Sequence, residues 1–211
     1  MNRLKFFLNK LSANKLRANK LKIFPNQKEF FNFFGKQKNV LEVGVDEGHN
    51  VRHNLIPILQ PKNLFLIDIW EKIRPSKRNL IINKCKSVSE LEKIKLNKKN
   101  ELVDYVNNLK KYTGNVFFIT ADSHEAASYF PNNYFDFIYI DGCHEKKHVK
   151  KDLELYFSKV KKGGVLAGDD YADLDDTILG CKEAIQEFLE ENNLKLIAIS
   201  KSRSVDWATI K

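Results

Sequence analysis

Apolar and polar positions follow two rhythms along this chain, and the switches between them outline its elements. Val40–Val43, Leu64–Ile69, Val116–Thr120, Phe135–Ile140 and Val165–Ala167 are short apolar runs with the β-branched and aromatic content of buried strands. Phe135–Ile140 (FDFIYI) is almost wholly apolar, as a central parallel strand should be. Between the runs the spacing becomes helical. Leu4, Phe7, Leu8 and Leu11 recur at i, i+3, i+4 and i+7 and predict a helix over residues 3–24, closed by Pro25. Gln27–Phe34, Val51–Leu59, Ser123–Tyr129, His148–Lys159 and Asp176–Glu191 follow as helices, the last with Ile178, Cys181, Ile185, Phe188 and Leu189 on its apolar face. Gly163-Gly164 reads as a turn. Leu194–Ile199 and Val205–Ile210 are closing strands, and the short KSRS link between them predicts an antiparallel pair. The alternation of strand and helix implies an α/β fold with a mostly parallel, seven-stranded sheet and right-handed crossovers.

Charge sharpens this picture. The chain carries +9, but residues 1–38 hold ten basic residues against one acid, and residues 71–112 hold twelve against five. The remainder is therefore net acidic. Residues 1–37 read as a basic helical extension, and 38–211 as the main domain. Residues 71–112 are longer than a plain crossover needs and read as an inserted helical, substrate-facing segment, in which Arg74, Lys77 and Arg78 would meet an acidic or phosphorylated substrate. Lys outnumbers Arg thirty to six, which reads as solvated lysine. With no aromatic RNA-binding motif or zinc-finger spacing, nucleic acid is not the expected partner.

No apolar run reaches the roughly 20 residues of a membrane helix, and the first residues lack an apolar signal core. Cys85, Cys143 and Cys181 are far apart, which argues against a disulfide framework and fits a reducing cytoplasm. The apolar face of residues 4–11 makes a homodimer plausible.

Candidate chemistry lies where strands end, because open parallel sheets bind ligands at their carboxyl rim. Glu42-Val-Gly44 and Gly48 close the first strand, and the glycines allow a tight turn and close backbone approach. A dinucleotide fingerprint would place Gly where Glu42 stands. A carboxylate there suits an ammonium better than a pyrophosphate, which favours S-adenosyl-L-methionine. Asp68, twenty residues after Gly48 and followed by Ile69, is placed to accept from ribose hydroxyls. Asp122 and Ser123 end the third strand, where they can meet an adenine edge. Asp141 ends the fourth, beside the reactive end of the cofactor. An NAD-dependent enzyme would also use Asp68, but neither the missing Gly nor the Asp169-Asp170 pair suits it.

From about residue 38 onward the chain resembles class I S-adenosylmethionine-dependent methyltransferases. LEVGVDEG is similar to their first motif, LFLID to their second and ADS to their adenine-edge segment, and LKLIAIS with VDWATIK is similar to their reversed final hairpin. The resemblance implies a Rossmann-like sheet in the order 3-2-1-4-5-7-6, with strand 7 antiparallel and helices on both faces. It places Glu42, Gly44, Gly48, Asp68, Ile69, Asp122, Ser123 and Asp141 around the cofactor.

Asp141, Asp169 and Asp170 stand at the ends of neighbouring strands. Close carboxylates repel and call for a cation, a shared proton or solvent separation. Hard oxygen ligands suit Mg²⁺, with Mn²⁺ or Ca²⁺ as alternatives. His144, three residues after Asp141, can act as a general base near neutral pH; His148, a turn further on, reads as a surface residue. The stretch from Asp136 to Tyr171 resembles the metal-dependent small-molecule and sugar (macrocin-type) O-methyltransferase branch. That resemblance implies metal on Asp141, Asp169 and Asp170, a base at His144 with Asp141 beside it, and a hydroxylated small molecule or sugar as acceptor. Competing expectations are a metal-independent methyltransferase acting on nitrogen or nucleic acid, and a non-catalytic cofactor-binding subunit.

Overall fold

A computed structural model describes residues 20–70, 87–172, 180–202 and 204–211. Eight strands form one sheet: β1 (Lys22–Phe24), β2 (Asn39–Val43), β3 (Asn63–Asp68), β4 (Asn115–Thr120), β5 (Phe135–Ile140), β6 (Val160–Gly168), β7 (Leu196–Ser200) and β8 (Trp207–Ile210). Their spatial order is β1-β7-β8-β6-β5-β2-β3-β4. β8 runs antiparallel to both its neighbours, and all other pairings are parallel. The seven strands expected from sequence therefore lie in the expected order, with β1 added beside β7.

β1 corrects one expectation. The helix read over residues 3–24 cannot reach its end, because Lys22, Ile23 and Phe24 pair with Ala198, Ile199 and Ser200. The open edge of β7 offers backbone partners that outweigh a weak helical pattern. The rest of that helix lies outside the described residues. Gly163-Gly164 is a second correction. The pair sits inside β6 rather than in a turn, as a bulge between the registers Phe135↔Val160 and Phe137↔Val165, with Gly163 at a φ of 78°.

Helices cover both faces: α1 (Gln27–Phe34), α2 (Val51–Leu59), α3 (Val88–Asn107), α4 (Ser123–Ala126), α5 (Lys146–Phe157) and α6 (Cys181–Glu191). Asn26 caps α1 and Ser87 caps α3, each side chain accepting from the backbone amide three residues on. α2 is wound wide, with the Gln60 amide reaching back five residues to the Leu55 carbonyl at 3.1 Å. Pro57 lies inside it and has no amide to donate.

The period of two along the strands sorts side chains to the two faces. On β5, Ile138 and Ile140 join Leu41, Tyr156, Phe188 and Trp207 under α5 and α6. Phe137 and Tyr139 join Phe31, Leu55 and Leu102 under α1, α2 and α3. Glu42 shares the face of Val40 and Tyr139, so its carboxyl is driven into the second layer.

Phe31 keys α1 to the sheet. It is fully buried, with ring centroids 5.8 Å from Phe137 and 5.4 Å from Tyr139. Phe31→Ala should cost about 3–5 kcal/mol of unfolding free energy, measured by urea denaturation followed by fluorescence.

Candidate active site

The loop after β2 is shaped by the protein's own packing. Gly44, at φ +84°, donates to the Ile67 carbonyl at 2.9 Å, and a Cβ there would stand 1.9 Å from the Asp141 carbonyl oxygen. Only glycine lets β2 and β5 close at this point. Gly48, at φ +75°, leaves room for Leu102 of α3, whose side chain a Cβ would meet at 2.5 Å. Asp68 holds the loop from below: Oδ2 accepts from the amides of Val45 (2.9 Å) and Asp46 (2.8 Å), and Oδ1 accepts from Trp70 (3.0 Å). Among the described residues, these bonds leave one Oδ1 lone pair unused. From outside, Lys95 and Lys98 of α3 pair with Asp46, Lys98 at 2.6 Å. These hydrogen bonds and charges outweigh the cost of burial and keep the Asp46 carboxyl below its usual range.

Glu42 is 1% exposed. Its Oε1 accepts from Asn50 Nδ2 at 2.9 Å, whereas its Oε2 is buried without a partner. Burial raises this carboxyl from an ordinary 4.5 to about 8, against the Asn50 hydrogen bond and with some help from Asp68.

At the end of β4, Asp122 Oδ1 caps α4 through the His124 amide at 3.0 Å, and the Ser123 carbonyl accepts from Tyr156 at 2.6 Å. Ile69 is half-buried where β3 ends. Sequence reasoning missed Asp152, which lies beneath this rim. It is 1% exposed, its Oδ1 has no hydrogen-bond partner, and it stands 3.5 Å from His124 Nε2. Burial lifts its pKa to about 6, opposed by the Ser123 hydrogen bond and by His124. The available signal was its register: Val149, Asp152, Leu153 and Tyr156 form the buried stripe of α5, and one of the four is an acid. His148, read as a surface residue, is half-buried and stacks on His124 at 5.4 Å.

Asp141, His144 and Asp170 converge at the ends of β5 and β6, with one ligand atom from each within 4.8 Å of the others. His144 Nε2 lies 3.3 Å from Asp170 Oδ2 and 3.9 Å from Asp141 Oδ1. Asp169 falls outside this trio; its Oδ1 accepts from the Asp170 amide at 2.8 Å. A cavity of about 20 Å³ opens among Asp141, His144, Asp169 and Asp170, with Cys143 and Cys181 on its wall. That is room for one ion or one water. No Lys or Arg ion-pairs with these acids among the described residues. Burial and mutual repulsion raise all three carboxyls: Asp141 well above its usual range, Asp169 to about 6, and Asp170 despite the opposing His144. Arg74, Lys77 and Arg78 lie outside the described residues.

A larger groove, about 1020 Å³, opens at the opposite end of the sheet. Lys36, Lys38, Lys62, Lys111, Tyr105 and Tyr112 line it in part, with no acid, His or Cys in its wall. Among the described residues, the cluster of two acids and a histidine lies at the carboxyl rim, not in this groove.

A family model described as a methyltransferase domain matches residues 41–171. The chain belongs to this methyltransferase family, and its fold and strand order are those of class I S-adenosylmethionine-dependent methyltransferases. Among solved structures it is similar to an O-methyltransferase from Bacillus cereus in complex with S-adenosylhomocysteine (15% identity, 99% of this chain and 90% of that one, TM-score 0.50). It is similar to a putative rRNA methylase from Clostridium thermocellum (13%, 87% and 92%, TM-score 0.57). A third similar structure is the 1,6-didemethyltoxoflavin-N1-methyltransferase of Burkholderia thailandensis (11%, 87% and 75%, TM-score 0.56). No curated protein matches in sequence. Among the described residues, no helix is long and apolar enough to cross a membrane.

The raised Glu42 pKa makes a testable statement about stability. The folded protein holds this proton up to about pH 8, whereas the unfolded chain releases it near 4.5. Stability therefore falls as pH rises through that interval. Glu42→Gln, which has no proton to lose, should flatten the decline and add on the order of a few kcal/mol near pH 7. Thermal melts of both proteins from pH 5 to 8.5 measure this.

Proposed function

We propose that the protein transfers a methyl group from S-adenosylmethionine to a hydroxyl of a small molecule or sugar, with a divalent cation assisting. The carrying observation is the trio of Asp141, His144 and Asp170 around a cavity of ion size, with no cationic side chain among them. The site fits both absent groups. Glu42 Oε2 is buried without a partner among the described residues, and an ammonium beside it would favour the ionised carboxylate over the proton that burial lets the free protein keep. The two carboxylates of Asp141 and Asp170 are hard oxygen donors that would suit Mg²⁺ or Mn²⁺, with Ca²⁺ as an alternative, leaving His144 free as a base.

In this reading Glu42 binds the cofactor's amine and the spare lone pair of Asp68 meets a ribose hydroxyl. Gly44 and Gly48 shape the loop along the methionine end, and Ile69, Asp122 and Ser123 bound the nucleoside. The cofactor supplies an already activated methyl on a positive sulfonium, so the protein's task is largely to position the reactants. Asp141 and Asp170 would hold the ion, with Asp169 fixing the backbone of Asp170 and standing at the cavity wall. When bound, the ion supplies a Lewis acid that lowers the pKa of an acceptor hydroxyl. His144 Nε2 takes the hydroxyl proton as the oxygen attacks. The resulting imidazolium lies between Asp170 and Asp141, at 3.3 and 3.9 Å, which stabilise it. Cys181 Sγ donates to the His144 carbonyl at 3.2 Å and anchors the backbone that carries the base.

Turnover is measured as S-adenosylhomocysteine release over a panel of catechols and vicinal-diol sugars. His144→Ala should lower it about 10²–10⁴-fold while leaving S-adenosylhomocysteine binding intact; an unchanged rate removes His144 from the role. Chelation with EDTA should suppress turnover and added Mg²⁺ or Mn²⁺ should restore it. Calorimetric titration of Mn²⁺ should show a site in the wild type that Asp170→Asn loses. A rate indifferent to EDTA refutes the cation.

A further inference from the structure

A line of amides, buried at Asn50 and Asn54 and half-buried at Gln27, runs behind Glu42, and the proposed chemistry does not use it. Asn50 Nδ2 donates to Glu42 Oε1 at 2.9 Å. Asn54 Nδ2 donates to Asn50 Oδ1 at 2.9 Å and to Gln27 Oε1 at 2.7 Å. Gln27 Nε2 donates to Asp206 Oδ1 at 2.9 Å. Asp206 is 0% exposed, and its remaining acceptor positions are taken by Tyr139 at 2.6 Å, Ser202 at 2.9 Å and Ser200. The chain thus runs from the end of β2, through α2 and α1, to the residue just before β8.

Its polarity is forced. Asp206 can only accept, so Gln27 must turn its NH₂ toward it and its oxygen toward Asn54. Asn54 then spends both hydrogens on Gln27 and Asn50. Asn50 in turn is left with its NH₂ facing Glu42. An amide flip at any link would set two donors or two acceptors face to face in a buried space, at a cost comparable to an unmade hydrogen bond. One oxygen of Glu42 is fixed in this way, and its other oxygen is buried without a partner among the described residues.

We propose that Gln27, Asn54 and Asn50 are positioning residues for the cofactor: they lock the Glu42 carboxyl so that its open oxygen is presented to the cofactor's ammonium. The proposal rests on the reading of Glu42 as the ammonium acceptor. It makes α1 part of the binding apparatus, although Gln27 and Asp206 lie outside the residues 41–171 matched by the family model. Apolar side chains would fill the same space without any demand for polar pairing. The aligned amides instead restrict the carboxyl to one rotamer before the ligand arrives, which lowers the ordering cost of binding.

The test compares two ligands by calorimetry on the full chain: S-adenosylhomocysteine, and 5′-methylthioadenosine, which lacks the amino-acid end. Asn54→Leu and Gln27→Leu should each weaken S-adenosylhomocysteine by about tenfold, the size of one charge-assisted hydrogen bond, and leave 5′-methylthioadenosine within about twofold. A merely structural role would weaken both ligands alike, and that result, or no change in either, overturns the proposal. Gln27→Leu, at the far end of the line, serves if Asn54→Leu does not fold. Glu42→Gln is the reference. If it fails to reduce the preference for S-adenosylhomocysteine, the ammonium reading itself falls; if it does so while both leucine variants do not, only the positioning role falls.

Discussion

Crowded carboxyl groups with no cationic partner among the described residues, at the carboxyl ends of β2, β5 and β6, are the constraint around which this molecule is arranged. Glu42, Asp141, Asp169, Asp170 and Asp206 crowd there, and none of them ion-pairs with Lys or Arg among the described residues. The basic side chains are used elsewhere: Lys95 and Lys98 on Asp46, Lys146 on Glu183 and Glu187, Lys150 on Glu187 and Glu191. Those pairs are largely solvated and contribute little each. The acids of the rim sit where effective dielectric is low and repulsion is strong. Glu42, Asp141, Asp169 and Asp170 all have raised pKa values as a result. Such a site gives up folding stability in exchange for affinity toward positive charge, the usual direction of the compromise at active sites. A sulfonium, an ammonium and a divalent ion are three positive groups of that kind.

The two-residue period of the strands decides which acids work together. Glu42, Tyr139 and Asp206 fall on the sheet face covered by α1 and α2, and the amides of those helices join them. Asp141 and Asp170 project from strand ends instead, where no helix covers them fully and His144 can reach. One sheet thus carries a largely buried polar line behind the loop after β2 and a partly exposed acid–base group in front of it. Tyr139 belongs to both regions: its hydroxyl is held by Asp206, and burial with the charges of Asp206, Asp169 and Asp141 pushes its own ionisation well above the usual range.

Much of this was legible in sequence because it is written in local pattern. Apolar runs ending in Glu42, Asp68 and Asp141 located the strands and the rim, and the resemblance supplied the strand order. β1 was not legible: Lys22-Ile23-Phe24 has no strand signature of its own and is defined by the free edge of β7. The bulge at Gly163-Gly164 was misread because two glycines signal a turn locally, and only the register against β5 reveals otherwise. The amide line was invisible for a similar reason. Gln27, Asn50, Asn54 and Asp206 are unremarkable polar letters until tertiary packing brings them together, burying all but the half-buried Gln27. Asp152 had a readable signal, an acid in the buried stripe of its helix, yet its partner His124 comes from another element.

Three of the six positive-φ residues other than glycine among those described stand at this rim, and one device holds them. Asp46, Trp70 and Asp170 adopt positive φ values of 47°, 24° and 61°. Such conformations cost of order 1–3 kcal/mol for residues other than glycine, and for a side chain as large as Trp70 they are rare. In each case the strained residue's own amide donates to an aspartate: Asp46 and Trp70 to the two oxygens of Asp68, and Asp170 to Asp169. A charged acceptor strengthens a hydrogen bond roughly twofold over a neutral one, enough to offset part of the strain. Asp68 and Asp169 are thereby structural before they are anything else, holding the turns from which Gly44, Asp46 and Asp170 are presented. A carboxylate at a strand end in this fold can bind a ligand only with whatever acceptor capacity its own backbone leaves free. For Asp68 that is one lone pair on Oδ1 beyond its three amide bonds among the described residues, so on the proposed reading a ribose would be held through that oxygen alone.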